Sequence, residues 1–398
     1  MCKPSKKTEN NRAMVDDSKD LWVFDGGTGR EIERRGGPFR QPEWSALALY
    51  EDPTLVRDIH QSFIKAGATA ITTNTYAVVP FHLGQERYNK DREWLLQSAV
   101  EMALQAKGGR NNIQVLGSIP PISGSYQPGS FDESIAGPII RDFLNAFRGK
   151  VDAIILETMG SAQEAKFALE QIYQSNIQLP VYLSFYVRND ARLLTGDTLK
   201  EAIDYLRQFD LLQPDRVPLV MINCCDINVI EDSLCELAMA LDTCQFRIGA
   251  YPNAFSAPPS AAANVKAREV DGNVSPEVLQ SLACKWIGAY GASVIGGCCG
   301  IGPDHITAVA QLKKEGLVLP ATEPRIEPRP GDVLATEPHI EPRLDDGIAV
   351  ESGGRSDDEN IEPNTTRVAC NVRGCGCGVQ IGFGQQLLLC QHLDEADR

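Results

Sequence analysis

Two short stretches carry cysteines where a strand pattern ends. The first is Leu219-Val-Met-Ile-Asn-Cys-Cys-Asp226, an apolar run that gives way to Cys224 and Cys225. The second is Ser293-Val-Ile-Gly-Gly-Cys-Cys-Gly-Ile-Gly-Pro-Asp-His305. There Ser293 to Ile295 reads as a buried strand, Gly296 and Gly297 release the backbone, and Cys298 and Cys299 follow. Gly302, Pro303 and Asp304 then read as a helix start. Thiols at the hand-over from strand to helix lie where α/β proteins build their sites. Cys224, Cys298 and Cys299 therefore form a candidate three-thiolate metal site, with no fourth protein ligand evident at either strand end. Structural zinc sites are closed by four protein ligands, whereas catalytic ones keep a position open. Thiolates already supply much negative charge, so a sulfur-rich zinc is poorly suited to activating water. It suits a substrate thiol, which it holds as the nucleophilic thiolate. The chemistry expected is alkyl transfer to a thiol. Neighbours on a strand point to opposite faces, so Cys225 is expected to point away from Cys224 as a small buried apolar residue.

Composition narrows the class. The chain has 398 residues, 43% hydrophobic and 23% charged, which is globular. No apolar run reaches the length of a membrane span, and the polar start, Met1 to Asp20, does not resemble a secretory signal. Twelve cysteines then point to a reducing, cytoplasmic setting in which thiols serve metals or chemistry. A net charge of −15 argues against nucleic acid as a partner. From Val318 onward there are 15 acids against 7 basic residues, so the tail is disproportionately acidic. It holds an imperfect duplication, Ala321 to Arg329 and Ala335 to Arg343, rich in Pro and acid. Residues 1–20 and 318–398 are expected to be disordered. The tail cysteines Cys370, Cys375, Cys377 and Cys390 depart from the usual two-residue spacing of a zinc knot.

Between these ends the pattern alternates. Strands are expected at Leu21–Asp25, Ala70–Tyr76, Ile113–Ser118, Asp152–Glu157, Val181–Phe185, Leu219–Asn223, Phe246–Tyr251 and Ala292–Ile295. Helices are expected at Thr54–Ala66, Trp94–Ala106, Ile139–Phe147, Ala162–Tyr173, Leu199–Phe209, Val229–Leu241, Pro276–Tyr290 and Pro303–Lys314. Eight such units over about 295 residues predict a (β/α)8 TIM-type barrel domain over 21–317, with a doubly wound open sheet as the structural alternative. The strand ends hold Asp25, Asn74, Tyr76, Ser118, Glu157, Ser184, Asn223, Tyr251 and Asn253 besides the thiols. In a barrel all of them surround one mouth, and buried polar groups need partners.

Seven motifs together resemble a known family. They are Asp25-Gly-Gly-Thr-Gly29, Ala66-Gly-Ala with Thr73-Asn-Thr-Tyr76, Gly117-Ser118, Glu157-Thr158, Ile222-Asn-Cys224, Tyr251-Pro-Asn253 and Gly296-Gly-Cys-Cys-Gly300. The chain from about Leu21 to Leu317 resembles the zinc-dependent homocysteine S-methyltransferases that use S-adenosylmethionine or S-methylmethionine. That group is similar to the betaine–homocysteine methyltransferases and to the homocysteine domain of methionine synthase. The resemblance implies a (β/α)8 barrel and zinc (Zn2+) on Cys224, Cys298 and Cys299. It implies that Asp25 and Glu157 form the catalytic pair of carboxylates facing the homocysteine amino group. Backbone near Gly26 and Thr73 would meet the homocysteine carboxylate, and Tyr76 and Trp44 would lie near the sulfonium donor, where an aromatic face can hold a cation.

Two loops depart from the family pattern. Ile119-Pro120-Pro121 follows Gly117-Ser118, and Ala254-Phe255 follows Asn253, where the family has glycine-containing segments. Both loops border the mouth, so the donor end differs while the thiol set and the homocysteine end are intact. The function expected is methyl transfer from a sulfonium donor to homocysteine, giving methionine. The rivals are a betaine-dependent enzyme and a non-catalytic zinc-binding scaffold.

Overall fold

Strands buried on both faces build the centre of the protein. The computed structural model describes residues 20–255 and 272–314. The expectations for residues 1–19, the tail and its cysteines lie outside these residues. The described residues all belong to one compact unit.

The strands are β1 (Trp22–Val23), β2 (Ala70–Thr72), β3 (Gln114–Ile119), β4 (Ala153–Met159), β5 (Val181–Phe185), β6 (Leu219–Asn223), β7 (Arg247–Tyr251) and β8 (Val294–Ile295). All pair in parallel, in the order β1-β8-β7-β6-β5-β4-β3-β2. The sheet closes on itself, because Phe24 bridges Ala70, Thr69 N–H donates to Val23 O at 2.7 Å, and Asp25 N–H donates to Ala70 O at 3.1 Å. This is the predicted (β/α)8 barrel, and closure excludes the open sheet. Alternate residues point inward: Phe24, Ala70, Leu116, Ala153, Ile155, Tyr182, Leu219, Met221, Tyr251 and Val294 form one buried interior cluster.

The helices are α1 (Thr28–Arg34), α2 (Ala46–Glu51), α3 (Pro53–Ala66), α4 (Pro80–Leu83), α5 (Gln85–Lys107), α6 (Glu133–Phe147), α7 (Ala162–Gln174), α8 (Leu199–Gln208), α9 (Ile230–Ala240), α10 (Pro276–Tyr290) and α11 (Pro303–Lys314). Local capping explains why many ends match the sequence reading. Ser275 accepts from Val278 N–H ahead of Pro276 and starts α10, which stops at left-handed Gly291. Thr198 and Glu201 form a capping box on α8.

Several elements differ from expectation. α5 begins nine residues before Trp94, because its first turns are polar and bury only Tyr88. α6 begins at Glu133 under an Asp132 cap and carries Pro138 inside it, where a start after the proline had been expected. β2 ends at Thr72, so Thr73 to Tyr76 form a loop. The short helices α1, α2 and α4 lack the length for a periodic signal. Among the described residues no helix is long and apolar enough to cross a membrane.

Candidate active site

The three thiols meet. The sulfurs of Cys224, Cys298 and Cys299 lie within 4.8 Å of one another at the mouth of the barrel, where they could hold a metal ion. β6 ends at Asn223, and Cys224 adopts a left-handed backbone with φ of 55°. That conformation costs a non-glycine residue about 1–2 kcal/mol. It is held by Cys224 N–H donating to Tyr251 O at 3.2 Å and by Asn253 Nδ2 donating to Cys224 O at 2.6 Å. This turn, and not strand alternation, aims Cys224 into the mouth. Cys225 is buried outside the thiol group, as expected, and burial pushes its thiol upward. The second cysteine segment is fixed by Cys298 N–H donating to Pro252 O at 2.7 Å and Ala254 N–H donating to Cys299 O at 2.8 Å. Gly300 supplies the left-handed φ of 86° that turns the chain. Gly296 and Gly297 are not left-handed; a Cβ on Gly297 would lie 2.1 Å from the Ile301 side chain. Hydrogen bonding to Cys224, together with burial, holds the Cys298 and Cys299 thiols well above their usual range. Three sulfurs so close, on two buried cysteines and one half-buried, can all ionise only around a cation, so the donor set fits a thiophilic metal.

Two carboxyls share the same cavity. Asp25 accepts from Thr72 N–H at 2.8 Å and from Thr72 Oγ1 at 3.1 Å. Glu157 accepts from the Ser118 hydroxyl. Glu157 sits at an irregularity in β4, where Thr158 is left-handed. Asn223 braces that turn, taking Thr158 N–H at 2.8 Å and donating to Thr158 Oγ1 at 2.9 Å. No salt bridge to either carboxyl forms among the described residues. Burial, reinforced by the charge of Glu157, raises Asp25 from 3.8 to about 8, against the Thr72 hydrogen bonds. Burial, with the charge of Cys224, raises Glu157 from 4.5 to about 7, against the Ser118 hydrogen bond.

These shifts set a pH dependence. The folded, metal-free protein keeps both protons up to about pH 7–8, while the unfolded chain releases them near 4. The unfolded state thus binds fewer protons between those limits. The contribution to stability is full below about pH 4 and is lost as pH rises through 7 and 8. Thermal melting of the metal-free protein from pH 5 to 8.5 should show a falling Tm, with a flatter profile in Asp25→Asn. Equal slopes in the two proteins would contradict the assignment.

One cavity of about 770 Å3, measured to its open mouth, gathers the predicted set. Asp25, Gly26, Trp44, Thr73, Tyr76, Glu157, Cys224, Cys298 and Cys299 all line it. Gly27 lets the first loop lie against the cysteine turn, since a Cβ there would be 2.5 Å from Cys298 O. Thr73 N–H is already donated to Leu116 O at 2.9 Å, so its amide is committed to the barrel. Trp44 packs edge-on to Tyr76 at 6.3 Å, and its indole N–H is buried without a hydrogen-bond partner among the described residues. Tyr76 Oη lies 2.6 Å from Ser125 Oγ. Other strand-end polar groups brace the scaffold: Ser184 donates to Asn223 at 2.8 Å, and Asn74 donates to Ser45 O at 3.0 Å.

Two residues were missed in the sequence. Tyr126, in the β3–α6 loop, places its hydroxyl 3.2 Å from Cys224 Sγ. Its only signal was an aromatic residue in a loop that departs from the family pattern. Arg30, on α1, stacks over Phe39 at 5.7 Å and Phe255 at 5.5 Å. Its positive charge opposes the rise at Cys299. It lay in a helix too short to be anticipated.

Comparison with known proteins agrees with this geometry. The sequence pattern of the homocysteine S-methyltransferase family matches residues 22–312. The chain is 25% identical to homocysteine S-methyltransferase 1 of Brassica oleracea var. italica, over 77% of this chain and 97% of that protein. It is 28% identical to homocysteine S-methyltransferase 3 of Zea mays, over 77% of this chain and 94% of that protein. It is also 26% identical to selenocysteine Se-methyltransferase of Brassica oleracea var. italica, over 72% and 87%. Among solved structures, it is similar in fold to the metallated form of the homocysteine methyltransferase MmuM from Escherichia coli. The TM-score is 0.59 at 23% identity, covering 74% of this chain and 97% of that one.

Proposed function

We propose that this chain, which belongs to the homocysteine S-methyltransferase family, transfers a methyl group from a sulfonium donor, S-methylmethionine or S-adenosylmethionine, to the thiolate of zinc-bound homocysteine. The observation that carries the reading is the meeting of three cysteine sulfurs within 4.8 Å in one cavity with two buried carboxyls. Zinc, when bound, holds the substrate thiol as thiolate near neutral pH. Cys224, Cys298 and Cys299 supply three ligands and leave a position for the substrate sulfur. Asp25 and Glu157 receive the homocysteine ammonium, whose charge draws both carboxyls toward their ionised forms. Backbone near Gly26 and Thr73, other than the committed Thr73 amide itself, meets the substrate carboxylate. Trp44 and Tyr76 present aromatic faces that hold the sulfonium and keep water from it. The methyl passes from sulfonium to thiolate as one C–S bond breaks and another forms, giving methionine and a neutral thioether.

The test is a donor panel with homocysteine as acceptor and methionine as the measured product. S-methylmethionine or S-adenosylmethionine should support transfer. Activity with betaine alone would move the chain to the betaine-dependent branch. Full metal content without transfer from any donor would make it a zinc-binding scaffold. The seven cysteines among the described residues form no disulfide, which supports a reducing, cytoplasmic setting.

We assign the activity to residues 21–317, with 1–20 and 318–398 as appendages. The family match ends at residue 312 and α11 ends at Lys314. A chain truncated after Leu319 should keep its metal, its Tm and its transfer rate. A large fall in Tm on truncation would show that the tail is part of the folded unit.

A further inference from the structure

We propose that Tyr126 is a positioning residue for the metal centre, donating a hydrogen bond from its hydroxyl to the Cys224 sulfur and so tuning the charge of that ligand. The inference rests on the metal reading of the three thiols. Tyr126 Oη is 3.2 Å from Cys224 Sγ, within range of a hydrogen bond to sulfur. With a neutral thiol either atom could donate. Once Cys224 is a metal-bound thiolate it has no proton to give, whereas the phenol hydroxyl carries one. The direction is then fixed from oxygen to sulfur.

The surroundings hold the hydroxyl in place. Tyr126 has a left-handed backbone with φ of 68°, a strained conformation kept by its neighbours. Its ring meets Tyr186 edge-on at 4.7 Å, and Tyr186 is buried. It packs in the same cluster as Cys224, Cys298, Cys299, Trp44 and Phe255. The preceding residue, Ser125, holds the Tyr76 hydroxyl at 2.6 Å. One dipeptide thus ties a metal ligand to an aromatic residue of the cavity wall. Partners of metal ligands fix ligand orientation and basicity. A hydrogen bond to a thiolate withdraws charge from it, so the metal receives less from Cys224 and draws more strongly on the sulfur in its open position.

Cobalt(II) loaded in place of zinc reports this directly through its sulfur-to-metal charge-transfer band. In Tyr126→Phe the ring and its packing remain while the hydroxyl is lost. The expected result is stoichiometric cobalt, a band moved to longer wavelength, and methyl transfer reduced about 10- to 100-fold. Tyr126→3-fluorotyrosine, a stronger donor, should move the band to shorter wavelength. Tyr76→Phe, whose lost hydroxyl bonds Ser125 and Thr158 and not Cys224, should leave the band in place. An unmoved band in both Tyr126 variants at full cobalt content would overturn the proposal. Loss of cobalt from Tyr126→Phe would also overturn it, because three thiolates should suffice to hold the ion. Failure of the wild-type protein to bind cobalt at all would instead overturn the metal reading.

Discussion

Cys298→Ala should lose metal and methyl transfer together. The three sulfurs that meet within 4.8 Å are the only such His, Cys, Asp or Glu group among the described residues. Removing one leaves two thiolates and no nearby substitute. If a site worth about 10–16 kcal/mol were shared equally by its three protein ligands, one thiolate would contribute about 3–5 kcal/mol, or roughly 100- to 4,000-fold in affinity. The fold should survive. The hydrogen bonds that shape this turn use Cys298 N–H and C=O, which alanine retains. Metal analysis and methionine production on the same preparation test this, with thermal melting as the check on folding. Cys225→Ala, next to a proposed ligand but outside the group, should keep its metal and most of its activity. Full metal content in Cys298→Ala would remove Cys298 from the ligand set.

Glu157→Gln should weaken homocysteine binding about 10- to 100-fold and leave metal content unchanged, since hydrogen bonds to charged groups contribute about 1.5–3 kcal/mol. The carboxyl is 8% exposed and accepts a hydrogen bond from Ser118, with no salt-bridge partner among the described residues. A buried carboxylate without a cation is costly, and the substrate ammonium is the cation that the reaction supplies. Glutamine keeps the shape and can still accept from Ser118. The effect should also depend on pH. Without metal or substrate, burial and the charge of Cys224 raise Glu157 to about 7. At pH 6 the wild-type carboxyl is largely neutral and resembles glutamine; at pH 8 it is largely charged. The gap between wild type and variant should therefore widen from pH 6 to pH 8 in direct binding measurements. Equal affinities at pH 8 would make Glu157 a structural acid.

Glu157 and Cys224 show where sequence reading works and where it stops. Glu157 was legible because an acid at the end of an apolar strand is out of place unless it has a task. Its brace, Asn223, was legible only as another polar strand end; the bonds to Thr158 and Ser184 join positions 65 and 39 residues apart. Cys224 was singled out by an argument about strand faces that the structure replaces with a left-handed turn.

By itself the sequence determined the eight-fold alternation, the ends of α10 and α11, the spans of β5 and β6, and the chemical character of the site. These follow from interactions within a few residues: caps, glycine stops, proline starts, and apolar runs that can only be buried. The three thiols were evident because cysteine at two strand ends is itself a chemical signal. Only the tertiary structure decided that the sheet closes through Phe24 and Ala70, that Thr73 N–H is committed to Leu116, and that Tyr126 reaches Cys224 across 98 residues. Each depends on strand register and loop course around the whole barrel. That is a sum of contacts distant in the chain, and no local pattern carries it.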